Sequence, residues 1–320
     1  MQAIVYRRYG PPETLRLEEV PTPVPAADQI LIRVRAASVN PIDWHFLRGA
    51  PYGIRFMTGL THPKIPFLGM DLAGRIEAVG GSVSGFQPGD EVFGMAQGAF
   101  AEFAATANVI LKPKSVTFEM AAAVPVAAFT ALQALRDKGQ IQAGQKVLVN
   151  GAAGGVGTFA VQIAKVLGAE VTGVCSTRNL DLVLSTGAAH VVDYTQQDFT
   201  RGPERYDVLL DCIGNHSLTD SLRALSGRCV YVMVGAPAGR WIAPVDRSLR
   251  MRMLSPFKRP KLLGVLARWS APDLTWLAGH IATGRIKPVL DRTYPLAEVP
   301  EAIRYLEQGH ARGKVIITVA

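Results

Sequence analysis

Lys146-Val-Leu-Val-Asn-Gly-Ala-Ala-Gly-Gly-Val-Gly-Thr158, running on as Phe159-Ala-Val-Gln-Ile-Ala-Lys-Val-Leu-Gly168, is the stretch on which the fold turns. A β-branched apolar run, a glycine cluster and a helix-period segment follow one another. That is how a βα turn holds a pyrophosphate against the start of a helix. Gly154 and Gly157 fit the positions of close ligand approach and of tight helix packing, Ala153, Gly155 and Val156 complete the turn, and Ala152 holds the tight-turn position. Glycines alone also describe a flexible loop. The second β-rich run, Glu170-Val-Thr-Gly-Val-Cys-Ser176, arrives at the spacing of a βαβ unit and makes a dinucleotide the expected ligand.

The end of that second run bears on which dinucleotide. An NAD site places Asp or Glu there for the ribose 2′-hydroxyl. Here Ser176, Thr177, Arg178 and Asn179 stand instead, donors suited to a 2′-phosphate, with Arg178 able to bind it through a charge-assisted fork. NADPH is therefore the expected cofactor, and the competing reading of Arg178 is a solvated surface charge.

Outward from this unit, apolar strands at Lys146 to Asn150, Val171 to Cys175, Val191 to Tyr194, Asp207 to Ile213 and Arg228 to Val234 alternate with helical segments, which predicts a doubly wound parallel sheet over 122–285. Residues 1–121 are β-rich and broken by Gly, Pro and Asp, as in a compact, partly open barrel. The tail, 286–320, ends in a strand at Lys314 to Val319 that can return to the first domain. The expected class is α/β, with two domains in 320 residues.

Apolar content of 48% with 19% charged residues describes a folded globular chain. No apolar run approaches the roughly 20 residues of a membrane span, and the start, Met1-Gln-Ala-Ile-Val-Tyr, reads as a strand rather than a secretory signal. A cytoplasmic protein is expected. Cys175, Cys212 and Cys229 are widely spaced in apolar runs and suit reduced thiols rather than nucleophiles or a disulfide framework. The net charge of +8 is concentrated in Arg247 to Arg268, seven basic residues without an acid. Its interleaved Leu, Met and Phe residues read as a packed face under a solvated one, with contact to anionic lipid or to an amphiphilic acidic substrate as the other reading. No nucleic-acid motif accompanies it.

With these segments in view, the chain resembles the medium-chain dehydrogenase/reductase superfamily, in its zinc-independent quinone oxidoreductase-like branch. The resemblance rests on Val39-Asn-Pro-Ile-Asp-Trp, Pro88-Gly-Asp-Glu-Val-Phe-Gly, Pro125-Val-Ala-Ala-Phe-Thr-Ala, Asn150-Gly-Ala-Ala-Gly-Gly-Val-Gly, Val192-Asp-Tyr and Gly313-Lys-Val-Ile-Ile-Thr-Val. It implies a GroES-like catalytic domain over 1–121 and 286–320, a Rossmann domain inserted between, an active site in the cleft and a homodimer. It also implies roles for single residues. Asn40 would orient the substrate or donate to an oxyanion, Asp43 would hydrogen-bond beside it, and Pro41, Ile42 and Trp44 would flank the cofactor. Thr130, Tyr194 beside the 2′-phosphate, Cys212, Ile213, Gly235 near the carboxamide and Lys314 near the phosphates would complete the cofactor site. For Asn40 and Asp43 ordinary turn chemistry is the competing reading.

The zinc members need a Cys and a Gly-His-Glu segment, where this chain has Asn40 and Gly69-Met70-Asp71. With no cysteine before Cys175 there is no four-cysteine lobe for structural zinc. Asp43, His45, His62 and Asp71 are the remaining candidates for an improvised metal site. Without a Lewis acid, hydride addition suits acceptors that spread the incoming charge, namely a quinone or an α,β-unsaturated carbonyl such as an enal, enone or enoyl thioester. Trp44, Phe46, Tyr52, Phe56 and Met57 offer a flat apolar slot, or core. A nucleotide-binding protein with little catalysis and a structural, lipid- or RNA-binding role is the reading from another class.

Overall fold

The computed structural model describes residues 1–235 and 261–320. The strands among them run, in chain order, β1 (Gln2–Val5), β2 (Arg16–Glu19), β3 (Ile30–Val39), β4 (Asp71–Val79), β5 (Glu91–Met95), β6 (Phe103–Thr106), β7 (Val109–Leu111) and β8 (Lys146–Asn150). They continue as β9 (Glu170–Cys175), β10 (His190–Asp193), β11 (Tyr206–Asp211), β12 (Leu225–Met233), β13 (Lys261–Gly264), β14 (Leu290–Pro295) and β15 (Lys314–Thr318). The chain divides into two compact units, one of residues 1–127, 269–284 and 288–320, the other of residues 128–268 and 285–287.

In the first unit a sheet runs in the order β14-β15-β3-β4-β5-β7, with β6 also pairing with β3. Alternating Ile30, Ile32 and Val34 of β3 point into a core shared with Ile4, Leu72, Phe100, Ile303 and Ile317. The terminal strand does return: β15 pairs antiparallel with β3, Val315 opposite Val39, and β4 pairs on the other side, Asp71 opposite Ser38. Lys314, Asn40 and Asp71 are thereby brought to neighbouring strand ends, although 243 residues separate the outer two in the chain.

The unit borders differ from those expected. Residues 122–127 go with the β-rich unit because the Val126 amide donates to the buried Asp71 carboxylate at 3.0 Å. The helix Ala271–Ala282 goes there as well, packing against β7. The second unit is the doubly wound sheet, all parallel, in the order β10-β9-β8-β11-β12-β13. The strand order reverses between β8 and β11, and the carboxyl ends flanking such a switch point are where open α/β sheets bind ligands.

Of the basic segment, residues 247–260, Arg250, Arg252, Lys258 and Arg259 among them, lie outside the described residues. Within the described part Leu262 is buried in the second core, and Gln133 bonds the Arg268 backbone through both its amide oxygen and nitrogen.

Candidate functional site

The turn after β8 is built by three glycines with three different duties. Gly151 takes the left-handed conformation (φ 86°), so it, and not Ala152, is the tight-turn residue. Ala152 instead lies buried under the sheet, where a Cβ on Gly173 would come within 2.9 Å of its own. A Cβ on Gly157 would strike the Gly151 carbonyl at 2.1 Å, so the helix Gly155–Val166 sits against its own turn only because that side chain is absent. At Gly154, the N-cap, a Cβ would meet nothing closer than 3.5 Å. The space over this N-cap is therefore open, beside uncapped first-turn N–H groups suited to an anion. Ala153 is buried, while Gly155 and Val156 are half-buried along the rim.

At the end of β9, Thr177 and Arg178 are exposed, Ser176 is half-buried and Asn179 is buried. Thr177 Oγ donates to Asp193 at 2.5 Å, and Thr195 and Gln196 donate to the same carboxylate. These bonds, Thr177's first, hold the Asp193 carboxyl below its ordinary range. The acid nearest the expected 2′-phosphate site is thus engaged by its own neighbours. Asn179 Oδ1 is buried without a hydrogen-bond partner, and its Nδ2 donates to Ser176 Oγ at 3.2 Å. A buried orphan acceptor at a strand end costs stability unless a ligand group satisfies it. Tyr194 follows β10 with its side chain 53% exposed.

After β11, Asp211 accepts from Asn150 Nδ2, the Ile213 and Gly214 amides and Tyr231 Oη, which ties together the ends of β8, β11 and β12. Cys212 donates its amide to the Asn150 carbonyl, and Ile213 stays exposed. Gly235 has a reason within the protein: a Cβ there would strike the Cys212 carbonyl at 2.1 Å. Its absence lets the two strand ends approach each other, a duty separate from the carboxamide contact expected of it. Thr130 lies half-buried in the helix Pro125–Leu132. Burial raises all three thiols, Cys175 and Cys229 to about 11 and Cys212 further, so they are neutral thiols at physiological pH.

In the β-rich unit Asn40 is the N-cap of the helix Pro41–Arg48, with Pro41 preset at the first helical position. Asp43, a turn later, accepts from the Asn40 amide at 2.7 Å and from the Gly69 amide at 3.2 Å. Fully buried and near Asp71, its carboxyl is pushed up to about 7, desolvation being the main cause. Asp71 accepts from Ser38 Oγ (2.8 Å), Asn40 Nδ2 (2.8 Å) and the Val126 amide (3.0 Å).

Two of the expected site residues are engaged with protein partners here. Asn40 has one amide hydrogen on Asp71 and the other directed at the Ser38 carbonyl, while its Oδ1 accepts from Lys314 at 2.6 Å. The Asn40 side chain thus meets protein partners through both its amide nitrogen and its oxygen. The Lys314 ammonium lies within hydrogen-bond reach of Asn40 Oδ1, the Val39 carbonyl and Asp71 Oδ2. Burial lowers its pKa. Asp71, in sequence a candidate metal ligand, is the hub that connects them. The clue available in sequence was a carboxylate kept in Gly69-Met70-Asp71 where the zinc members have Gly-His-Glu.

A cavity of about 340 Å³ lies within the same unit, lined by Tyr6, Asp43, Phe46, Met57, Phe67 and Met70 among others. Of the expected aromatic slot only Phe46 and Met57 line it. Trp44 stacks on His45, Tyr52 sits under the Arg55 guanidinium, and Phe56 is exposed. Tyr6, Phe67 and Met70 were not singled out, since their alternation with buried neighbours reads as ordinary strand and loop packing. His45 Nδ1 pairs with the Ala50 carbonyl and His62 with Thr61. Among the described residues no three His, Cys, Asp or Glu side chains converge as metal ligands. Nor does any described helix have the length and apolarity to cross a membrane.

Against known families, residues 26–115 match the alcohol dehydrogenase GroES-like domain and residues 186–317 match a family described as zinc-binding dehydrogenase. The zinc in that description finds no fitting donor set at Asn40 and Met70, where a buried ammonium already stands against the Asn40 oxygen. The mitochondrial NAD(P)H oxidoreductase RTN4IP1 of Mus musculus is 36% identical, over all of this chain and 89% of its own. The chloroplast envelope quinone oxidoreductase homolog of Arabidopsis thaliana is 32% identical over 99% of this chain and 98% of its own. Among solved structures, the quinone oxidoreductase of Coxiella burnetii superposes with a TM-score of 0.88 at 30% identity, over 100% and 99% of the two chains. That of Escherichia coli, in complex with NADPH, gives 0.84 at 26%, over 99% and 100%. The chain is an oxidoreductase of the medium-chain dehydrogenase/reductase superfamily and belongs to its quinone oxidoreductase-like branch.

Proposed function

We propose that the chain transfers hydride from NADPH to a quinone without zinc. The observation that carries the reading is the Asn40–Asp71–Lys314 cluster: the protein's own ammonium neutralises the carboxylate cluster where the zinc members hold metal. The residues of the α/β unit suit the cofactor. The space over Gly154 admits a pyrophosphate, the orphan Asn179 Oδ1 suits a ribose hydroxyl, and the exposed Arg178 suits the 2′-phosphate. The relatives named NAD(P)H oxidoreductase and the NADPH-bound Escherichia coli enzyme support the same choice.

Bound NADPH supplies the hydride from nicotinamide C4. The chain's share is placement: the helix start at Gly155 holds phosphate, Asn40 and Asp43 fix the entry of the helix Pro41–Arg48, and Phe46 and Phe67 give the cavity apolar walls. Hydride and one proton convert a quinone to its hydroquinone, and the proton comes from solvent. A conjugated acceptor delocalises the charge, so no strong oxyanion donor is needed. The tomato relative named 2-methylene-furan-3-one reductase, 34% identical, favours an enone as the second reading. Free thiols suit a reducing compartment, for which the cytoplasm is proposed, with a homodimer as the assembly.

The test is loss of nicotinamide absorbance for NADPH and NADH against quinones, enals and simple ketones, with and without chelator. Chelator-insensitive oxidation of NADPH by quinones is expected. Turnover confined to simple ketones, or abolished by chelator, would overturn the reading.

A further inference from the structure

The segment 56–65 of the β-rich unit carries four large apolar side chains in contact with water: Phe56 and Met57, each 78% exposed, Leu60 at 64% and Ile65 at 46%. Scattered single apolar residues on a surface are ordinary, but four within ten residues form a patch of the kind that marks a binding surface. Their outward placement is built. The first turn of the segment is tied to the protein through polar groups: Thr58 Oγ meets Tyr9 Oη at 2.7 Å, and the same phenol donates to the Gly59 carbonyl at 2.5 Å. The Arg55 guanidinium lies over the rings of Tyr9 and Tyr52 and donates to the Gly49 carbonyl at 2.9 Å. Gly59, with φ 124°, turns the chain so closely that a Cβ would strike the His62 carbonyl at 2.0 Å. Thr61, His62 and Lys64 of the same segment are also exposed, so the displayed apolar side chains have polar neighbours at the surface.

Met57 and Ile65 line the 340 Å³ cavity as well, so patch and cavity form one continuous surface. The cavity is of the size that small-molecule sites begin at, and it is walled by Tyr6, Phe46, Phe67 and Met70. Its charged lining groups are Asp43, which burial keeps largely protonated below about pH 7, and Lys64. A flat conjugated ring alone would leave the patch uncovered. We infer that the preferred acceptor is an amphiphile, a conjugated carbonyl bearing an unbranched alkyl or prenyl chain that lies from the cavity across Met57, Ile65, Leu60 and Phe56. The inference rests on the proposed reductase activity and names its substrate class.

The experiment compares 1,4-benzoquinones carrying n-alkyl chains of increasing length as acceptors for NADPH oxidation by the wild type, Phe56→Ser and Leu60→Ser. Alongside, 1,4-dimethoxybenzenes with the same chains, which accept no hydride, are titrated calorimetrically without cofactor. Full burial of a methylene is worth about fourfold, so a chain half-covered on an open surface should gain about twofold per methylene in kcat/KM and in affinity. Both variants should flatten that gradient. A flat wild-type series in turnover and calorimetry alike overturns the inference. Failure of even the unsubstituted quinone to oxidise NADPH, with a chain-length gradient persisting in calorimetry and lost in Leu60→Ser, overturns the reductase reading and keeps the tail site. If the variants lose adsorption to phosphatidylcholine vesicles while the gradient is unchanged, the patch belongs to a membrane surface and the inference falls.

Discussion

Replacing Lys314 with Met should destabilise the β-rich unit by about 3 kcal/mol, and the size of that loss depends on what remains around Asp71. The ammonium stands 3.5 Å from Asp71 Oδ2, both side chains being buried. At an effective dielectric constant of about 20, that attraction is about 5 kcal/mol, and desolvating the two ions cancels much of it. Removing one partner is costlier than the pair is worth, about 3–5 kcal/mol, because the other charge stays buried. Lys314→Met sits at the low end because Ser38 Oγ, Asn40 Nδ2 and the Val126 amide still donate to Asp71, while Asn40 Oδ1 loses its donor. Asp71→Asn should cost a similar amount by stranding the ammonium. The double variant, with neither charge, should then be more stable than the two losses summed by at least about 2 kcal/mol. Hydrogen exchange of the peptides covering β3 and β4, followed through a urea series, reads this unit by itself. Losses that add within about 0.5 kcal/mol would refute the pair as a coupled unit, and a Lys314→Met loss under about 1 kcal/mol would show that the ammonium does not hold the cluster.

Arg178→Ala should weaken NADPH binding about tenfold, the low end for a charge-assisted bond at an exposed site, and leave NADH unchanged. Nicotinamide fluorescence titration measures it, and equal loss for both dinucleotides would sink the 2′-phosphate assignment. The second concerns pH. Asp43 rises from 3.8 to about 7 on folding, so between those values the folded unit holds a proton that the unfolded chain has released. Its contribution is complete below about pH 4 and is lost as pH climbs through 7, on the order of 4 kcal/mol in all. Asp43→Asn should remove that slope from the melting temperature between pH 4 and 8, and a variant profile parallel to the wild type would count against it.

How much of this was legible in the chain follows from how local each feature is. The βα turn is spoken for by adjacent residues: strand, glycines and helix occupy one window, and only the duty of Gly151 was misassigned, because a left-handed residue and a small buried residue look alike in a glycine-alanine run. The doubly wound sheet could be expected because apolar strands and helical segments alternate along most of this unit, although no helix stands between β10 and β11. The Asn40–Asp71–Lys314 cluster is different in kind. Its members come from three strand ends, and only the antiparallel return of β15 onto β3 puts Lys314 beside Asn40. The resemblance implies a place near the phosphates for Lys314 and an orienting or oxyanion-donor role for Asn40, and says nothing of the bonds the two make to each other. What the structure adds is the engagement of these donors: the Lys314 ammonium and the Asn40 amide both face protein acceptors inside a buried cluster. The same accounting explains the patch at 56–65. The sequence reads Phe56 as part of an apolar slot or of a core, but Arg55 and Thr58 of the same turn hold the inward-facing bonds, so Phe56, like Leu60, is left to face solvent and whatever apolar ligand comes to cover it.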